Sequence, residues 1–250
     1  MPRIPFSASA GYRWLDVWVL ASVIQIGTRR FCETHLTRDT DPCGRLFDQM
    51  TMAARSGVAN IAEGYARRTT SAETEIRLYD VARASLEELA GDYRAFLLAR
   101  RELPWSDSDP EENAVFRTPL DKPTFTTDIE RAAAAHILAQ YDKFARWLDA
   151  PSPLIAARAL LVLCSRATLM LRKKIDQSYA DFLARGGFTE NASLDRLAAR
   201  AAIPSSDNAP PCPLCGKPMQ QRLAKRGPRA GHPFWSCPDY PTCSGTRPAD

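Results

Sequence analysis

The stretch from Cys212 to Cys243, CPLCGKPMQQRLAKRGPRAGHPFWSCPDYPTC, limits what this chain can fold into more than any other. It is too short to bury a core of its own, so something besides apolar burial must fold it. Its four cysteines fall in two close pairs, Cys212-x2-Cys215 and Cys237-x5-Cys243. Cys-x2-Cys followed by glycine is a tight knuckle that aims two sulfurs at one ion. Four thiolates suit a tetrahedral Zn²⁺, whose filled d shell imposes no geometry of its own. Metal binding would then supply the folding free energy of the segment. Two disulfides are the other use of four such thiols. The N-terminus lacks a basic leader joined to a clean apolar core, and Cys32, Cys43 and Cys164 are scattered, so reduced, cytoplasmic thiols are the simpler expectation. Cys212, Cys215, Cys237 and Cys243 are therefore the expected ligands of one structural zinc per chain, with no coordination position left for water. His232 is expected to be a solvated loop residue.

Charge and aromatic residues add a binding expectation. Lys217, Arg222, Lys225, Arg226, Arg229 and Arg247 face only Asp239 between Cys212 and Arg247, a balance of +5 in a chain whose formal charge is +4. Phe234, Trp235 and Tyr240 interleave with these cations. Rings beside a positive groove are the equipment for gripping single-stranded nucleic acid, because unpaired bases stack on them. The other use of these rings is to cover the metal site, and Phe234 is the first candidate for that. The nucleic-acid contacts expected are Lys217, Arg222, Lys225, Arg226, Arg229, Trp235, Tyr240 and Arg247.

The segment also carries a family resemblance. Cys212-Pro213-x-Cys215-Gly216, Met219, Arg222, Arg226-Gly227, Gly231-x-x-Phe234-Trp235-x-Cys237 and Tyr240-Pro241-x-Cys243 resemble the C-terminal zinc finger repeats of bacterial type IA DNA topoisomerases. The pattern departs at Ser236 and Pro238, beside ligands that are themselves kept. The resemblance implies single-stranded DNA binding. Nothing else in the chain resembles a topoisomerase, so strand cleavage is not implied.

The other two hundred residues read as helical. With 45% apolar residues in 250, one sizeable domain and a small appendage fit the length. The run Val17 to Ile26 is too short to cross a bilayer, and no membrane association is expected. A first helix, about Tyr12 to Leu36, is apolar nearly all round and must be covered on more than one side, by its own bundle or by a second subunit. A second, about Cys43 to Arg68, has one apolar stripe flanked by small residues; Gly57 marks a close approach of another helix. Asn60 and Glu63 interrupt its apolar face, and Glu63 is expected to be a buried carboxylate hydrogen-bonded to a neighbour. A third helix opens with Thr70-Ser71-Ala72-Glu73, read as a capping box between Thr70 and Glu73.

Pro104, Pro110, Pro119 and Pro123, with Asp107, Asp109, Glu111 and Glu112, break the pattern as an insertion at about 104–150, which ends in a helix from Asp128 to Leu148. His136 in that helix is expected to be half-buried packing. Ser152 and Pro153 start a fourth long helix that Gly186-Gly187 stops near Arg185. A short helix, Ser193 to Ala202, closes a domain of residues 1–203. A linker follows at 204–211, and the finger at 212–247. The fold class expected is all-α: an antiparallel four-helix bundle with an inserted helix, plus a small C-terminal zinc-ribbon-like module.

A second resemblance lies in the bundle. Asp48-Gln49-Met50, Ala53-Ala54-Arg55-Ser56, the core Asn60-Ile61-Ala62-Glu63-Gly64, Glu73-x-Glu75-Ile76 and Val81-Ala82-Arg83-x-Ser85-Leu86-x-Glu88-Leu89 resemble the four-helix bundle family of ribosomal RNA intervening-sequence proteins and retroelement accessory variability determinants, in its suffix-containing version. The resemblance implies a ring-shaped homopentamer and, for the retroelement members, association with a reverse transcriptase and nucleic acid, RNA included. Those members are strongly basic, whereas residues 1–204 hold 27 cations and 26 anions. No phosphate-binding glycine loop, Gly-x-Ser-x-Gly elbow or zincin motif occurs. The reading is a non-enzymatic nucleic-acid-binding scaffold whose bundle oligomerises or docks a partner.

Overall fold

The computed structural model describes residues 11–125, 128–186, 188–201, 209–224 and 230–249. It is mostly helical, with seven α-helices among the described residues and one small sheet near the C-terminus. The chain divides into two compact units, residues 1–188 and 189–250.

The first unit is built from α1 (Asp16–His35), α2 (Arg45–Arg67), α3 (Ala72–Leu98), α4 (Pro110–Arg117), α5 (Ile129–Leu148) and α6 (Pro153–Arg185). A 3₁₀ turn, Gly11–Trp14, precedes them and packs on α1 and α2. α3 lies between α2 and α6, and α1 touches the same two helices, so the four long helices close a ring of contacts around one core. Residues Val19 to Ile24 of α1 are buried without a break. α5 also packs on α1 inside the same chain and adds to the cover of that helix. A Cβ at Gly27 would lie 3.0 Å from Leu160 and 3.3 Å from Leu148, so glycine lets α1 approach α6 and α5 together. Deep in this core Tyr93 Oη donates to Thr28 Oγ1 at 2.9 Å, which satisfies two buried hydroxyls across α3 and α1.

The expected Gly57 contact is present: a Cβ there would meet Leu86 Cδ2 at 3.0 Å. The buried line of α2 runs Ala54, Gly57, Ile61, Gly64. Asn60 sits beside it and donates to Ser56 O at 2.9 Å and Ser56 Oγ at 3.0 Å, while Ser56 Oγ meets Ser85 Oγ of α3 at 3.0 Å. Glu63 corrects the sequence reading. It is exposed and pairs with Arg67 one turn on, at 3.8 Å, because it falls about 100° round the helix from Gly64. The buried carboxylate belongs to Glu75 of α3, 7% exposed, which accepts from Ser178 Oγ of α6 at 3.3 Å. The cap of α3 also differs. Ser71, not Thr70, holds the N-cap, its Oγ accepting from Thr74 N at 3.2 Å.

A second correction concerns the insertion. Residues 110–117 form α4, where a break was expected. Pro110 stands in the first turn, where its missing N–H costs nothing, and Glu111 and Glu112 complement the positive end of the helix dipole. The irregular backbone around α4 is tied down by side chains. Arg158 Nε donates to Leu103 O at 2.8 Å, Arg166 Nη1 to Thr118 O at 2.7 Å, and Gln140 Oε1 accepts from Asp121 N at 2.9 Å. These bonds serve main-chain groups that no regular ladder pairs.

α6 matches its expected bounds, and Gly186 ends it at φ 70°. It also contains a long apolar window. Pro153–Ala184 is long and apolar enough to cross a bilayer by length and composition, and 61% of its most apolar window is buried within the fold, as in a core helix.

The second unit holds all but the first residue of α7 (Phe188–Ala201) and an antiparallel sheet of β1 (Gln220–Leu223), β2 (Pro233–Ser236) and β3 (Thr246–Pro248), in the order β1-β2-β3. α7 begins five residues before the expected Ser193.

Candidate metal centre

The two cysteine pairs sit on two knuckles. In the first, Gly216 N donates to Cys212 O at 3.0 Å and Cys212 N to Lys217 O at 2.8 Å, and Gly216 holds φ 75°, a left-handed conformation that favours glycine. In the second, Cys243 N donates to Asp239 O at 3.1 Å and Cys237 N to Gly245 O at 2.9 Å. Lys217 Nζ bonds Asp239 Oδ2 at 2.5 Å, which clips one knuckle to the other. Gly245 has a packing role as well: a Cβ there would overlap Cys212 Sγ.

The four sulfurs lie within 4.8 Å of one another, the separations including 3.7 Å for Cys212–Cys243 and 3.5 Å for Cys215–Cys237. A tetrahedron with metal–sulfur bonds of about 2.3 Å has edges of about 3.8 Å. The four cysteines can hold a metal ion, and the donor set fits a soft or borderline one. Their environments differ. The Leu214 N–H, 3.4 Å from the sulfur, pulls the Cys212 thiol down to about 7, with the Cys215 N–H acting in the same sense against burial. Burial pushes the Cys237 thiol up to about 12.

Cover for the centre is small: Cys212, Cys237 and Met219 are buried, and Trp235 packs against them. The sheet register explains which ring does this. Gln221, Trp235 and Arg247 stand abreast on one face, and Arg222, Phe234 and Pro248 on the other. Phe234 was the first ring expected over the metal, with Trp235 open between cover and base stacking; Trp235 shares a face with the Met219 side of β1. One residue of register decides it. Tyr240 is 62% exposed, as is Leu214 at 67%, each on its own knuckle.

The cations expected to contact nucleic acid are distributed unevenly. Arg222 and Arg247 are exposed on opposite faces of the sheet. Lys217 is exposed but engaged by Asp239, whose carboxylate raises its pKa. Lys225, Arg226 and Arg229 lie outside the described residues. His232 is exposed and stands apart from the four-sulfur cluster. Sequence reasoning missed the Lys217–Asp239 clip and the contact of Gly245 with Cys212; the Cys-Ser-Gly triplet ending at Gly245 was its only trace. No family model, curated protein or solved structure matches the chain.

Proposed function

We propose that the chain is a non-enzymatic scaffold whose C-terminal unit binds one structural zinc and grips single-stranded DNA. The observation that carries the metal part is the four-sulfur cluster, closed by two knuckles and a salt bridge. Four protein ligands leave no position for a reacting water, so the ion would hold structure and perform no chemistry. The DNA part rests on what surrounds the cluster: Arg222 and Arg247 exposed on the sheet, and an exposed Tyr240 ring on a knuckle. Guanidinium groups supply a salt-dependent phosphate attraction, and a free ring supplies stacking that only an unpaired base can reach. Trp235, packed on the cluster, serves the fold of the finger first.

The four long helices of the first unit are read as an antiparallel four-helix bundle, with α4 and α5 as the insertion. Oligomerisation of that bundle remains part of the proposal. Its support is now the resemblance, since α5 adds to the cover of α1 within one chain. Cysteines that must stay reduced to hold zinc suit a cytoplasmic setting. Fluorescence anisotropy of a labelled oligonucleotide against the zinc-loaded protein tests the reading. Single strands should bind more tightly than duplex, and chelation of the metal should abolish the difference. Equal affinity for both forms, before and after chelation, would refute it.

A further inference from the structure

A cavity of about 680 Å³ lies in the first unit, between α6 and the segment carrying α4, with Arg94 of α3 at its edge. Its size falls in the range of small-ligand sites, roughly 300–1,000 Å³. The floor is apolar, from Leu161 and Val162, and the half-buried rings of Trp105 and Phe116 line it.

Two kinds of polar group border this space. Arg94 and Arg117 both line it, both are exposed, and neither guanidinium forms an ion pair or hydrogen bond among the described residues. Arg158, the third guanidinium, is tied to Glu102 at 2.7 Å and serves the wall. The α4 side offers acceptors instead. Asn113 Nδ2 is engaged by Asp107 O at 2.7 Å and Asp109 O at 3.3 Å, which leaves its Oδ1 for other partners. Glu112 adds a carboxyl that burial holds above its ordinary range, with Asp107 acting the same way and Arg117 opposing.

A ligand that answers all of these needs an anion for two guanidiniums, a flat ring for Trp105 and Phe116, and amino hydrogens for Asn113 and Glu112. We propose that this cavity binds a nucleotide: a base carrying an exocyclic amino group against the rings, and its phosphate at Arg94 and Arg117. Guanidinium is well matched to phosphate oxygens, and aromatic rings accept any base face. The site belongs to the helical unit and does not depend on the finger.

Calorimetry on the full zinc-loaded chain tests it, with 2′-deoxyadenosine monophosphate as probe. The probe should bind at one site per chain, and R94A/R117A should weaken it by about tenfold or more, as expected for charge-assisted hydrogen bonds, with circular dichroism unchanged. Deoxyadenosine, lacking the phosphate, and thymidine monophosphate, lacking the amino group, should both bind more weakly than the probe. Absence of probe binding, equal binding by R94A/R117A, or equal binding of naphthalene-1-sulfonate would overturn the assignment. A 5′-phosphorylated oligoadenylate on the Y240A chain separates the sources. Dependence on Arg94 and Arg117 marks a strand end; dependence confined to the mononucleotide marks a free metabolite.

Discussion

The ring of Tyr79 on α3 fills the space that a side chain at Gly64 on α2 would need: an added Cβ would lie 2.9 Å from Tyr79 Cε1 and 3.0 Å from Cδ1. Behind the ring, Glu75 O would stand 3.3 Å from the same atom, so the backbone of α3 limits any retreat. Alanine favours a helix over glycine by about 1 kcal/mol where nothing opposes it. At Gly64 the overlap should reverse the sign. G64A should destabilise the first unit by about 1–3 kcal/mol in urea denaturation, and G64A/Y79L should recover part of the loss. A stabilised G64A would mean that α2 and α3 do not approach here as described.

Removal of the metal should separate the two units. A chelator should release about one zinc per chain and leave most of the helical circular dichroism in place. Loss of the whole helical signal would contradict two independently held units. Affinity should rise with pH, since thiols must lose protons to bind, and Cys237, pushed up to about 12 by burial, has a proton to release at neutral pH. Proton release on zinc addition, followed with a pH indicator, checks this.

Gly245 gives a test that leaves all four ligands in place. G245A puts a methyl group where Cys212 Sγ lies. Metal affinity, read from cobalt–thiolate absorption under competition, should fall by about tenfold or more, the scale of losses from disturbing the surroundings of a metal site. An unchanged affinity would show that the Gly245 loop yields at little cost.

Trp235 and Tyr240 should divide cleanly. W235A should loosen the finger and lower zinc affinity, because the indole covers Met219 and two ligands. Y240A should keep the metal and weaken single-strand binding by about 1–3 kcal/mol, with little effect on duplex. R222A and R247A should weaken both forms and flatten the salt dependence. Were Y240A to lose zinc and W235A to keep it, the assignment of the two rings would be reversed.

Burial holds His35 and His136 below the ordinary imidazole range, with Asp121 pulling His136 partly back. His136 Nε2 is also buried, with no hydrogen-bond partner among the described residues. As pH falls through about 6.5 the unfolded chain takes up these protons first, so stability should decline below that point and level off beneath the folded values. Asp92 and Glu112, raised by burial, act in the opposite sense at lower pH. Urea midpoints between pH 7.5 and 5.5 should fall for the native chain and stay flatter for H35Q/H136Q.

How much of this was legible in the sequence depended on how local the signal was. α6 could be bounded because Pro153 and Gly186 are start and stop residues whose effect needs no neighbour. The four cysteines could be grouped because knuckle spacing is a short-range property. Glu63 could not be placed, since Asn60 and Gly64 both lie near the buried line and only the seat of α3 shows where that line ends. α4 was hidden because proline was read as a breaker where it served as a first-turn residue. The exchange of Phe234 for Trp235 turned on strand register, which depends on β1 and β3 and is absent from β2 read alone.

The seal of α5 and α6 over α1 also sets an order of events at the ribosome. α1 is synthesised first, yet it meets two of its covers only when residues up to about Arg185 have appeared. At roughly 5–20 residues per second, the strip from Val19 to Ile24 waits on the order of 8–30 s for that cover. During this interval the nascent chain presents an apolar strip broken only by Ser22, which α2 and then α3 can shield in part. Production of this protein should therefore respond to translation speed and to chaperones that hold apolar helices.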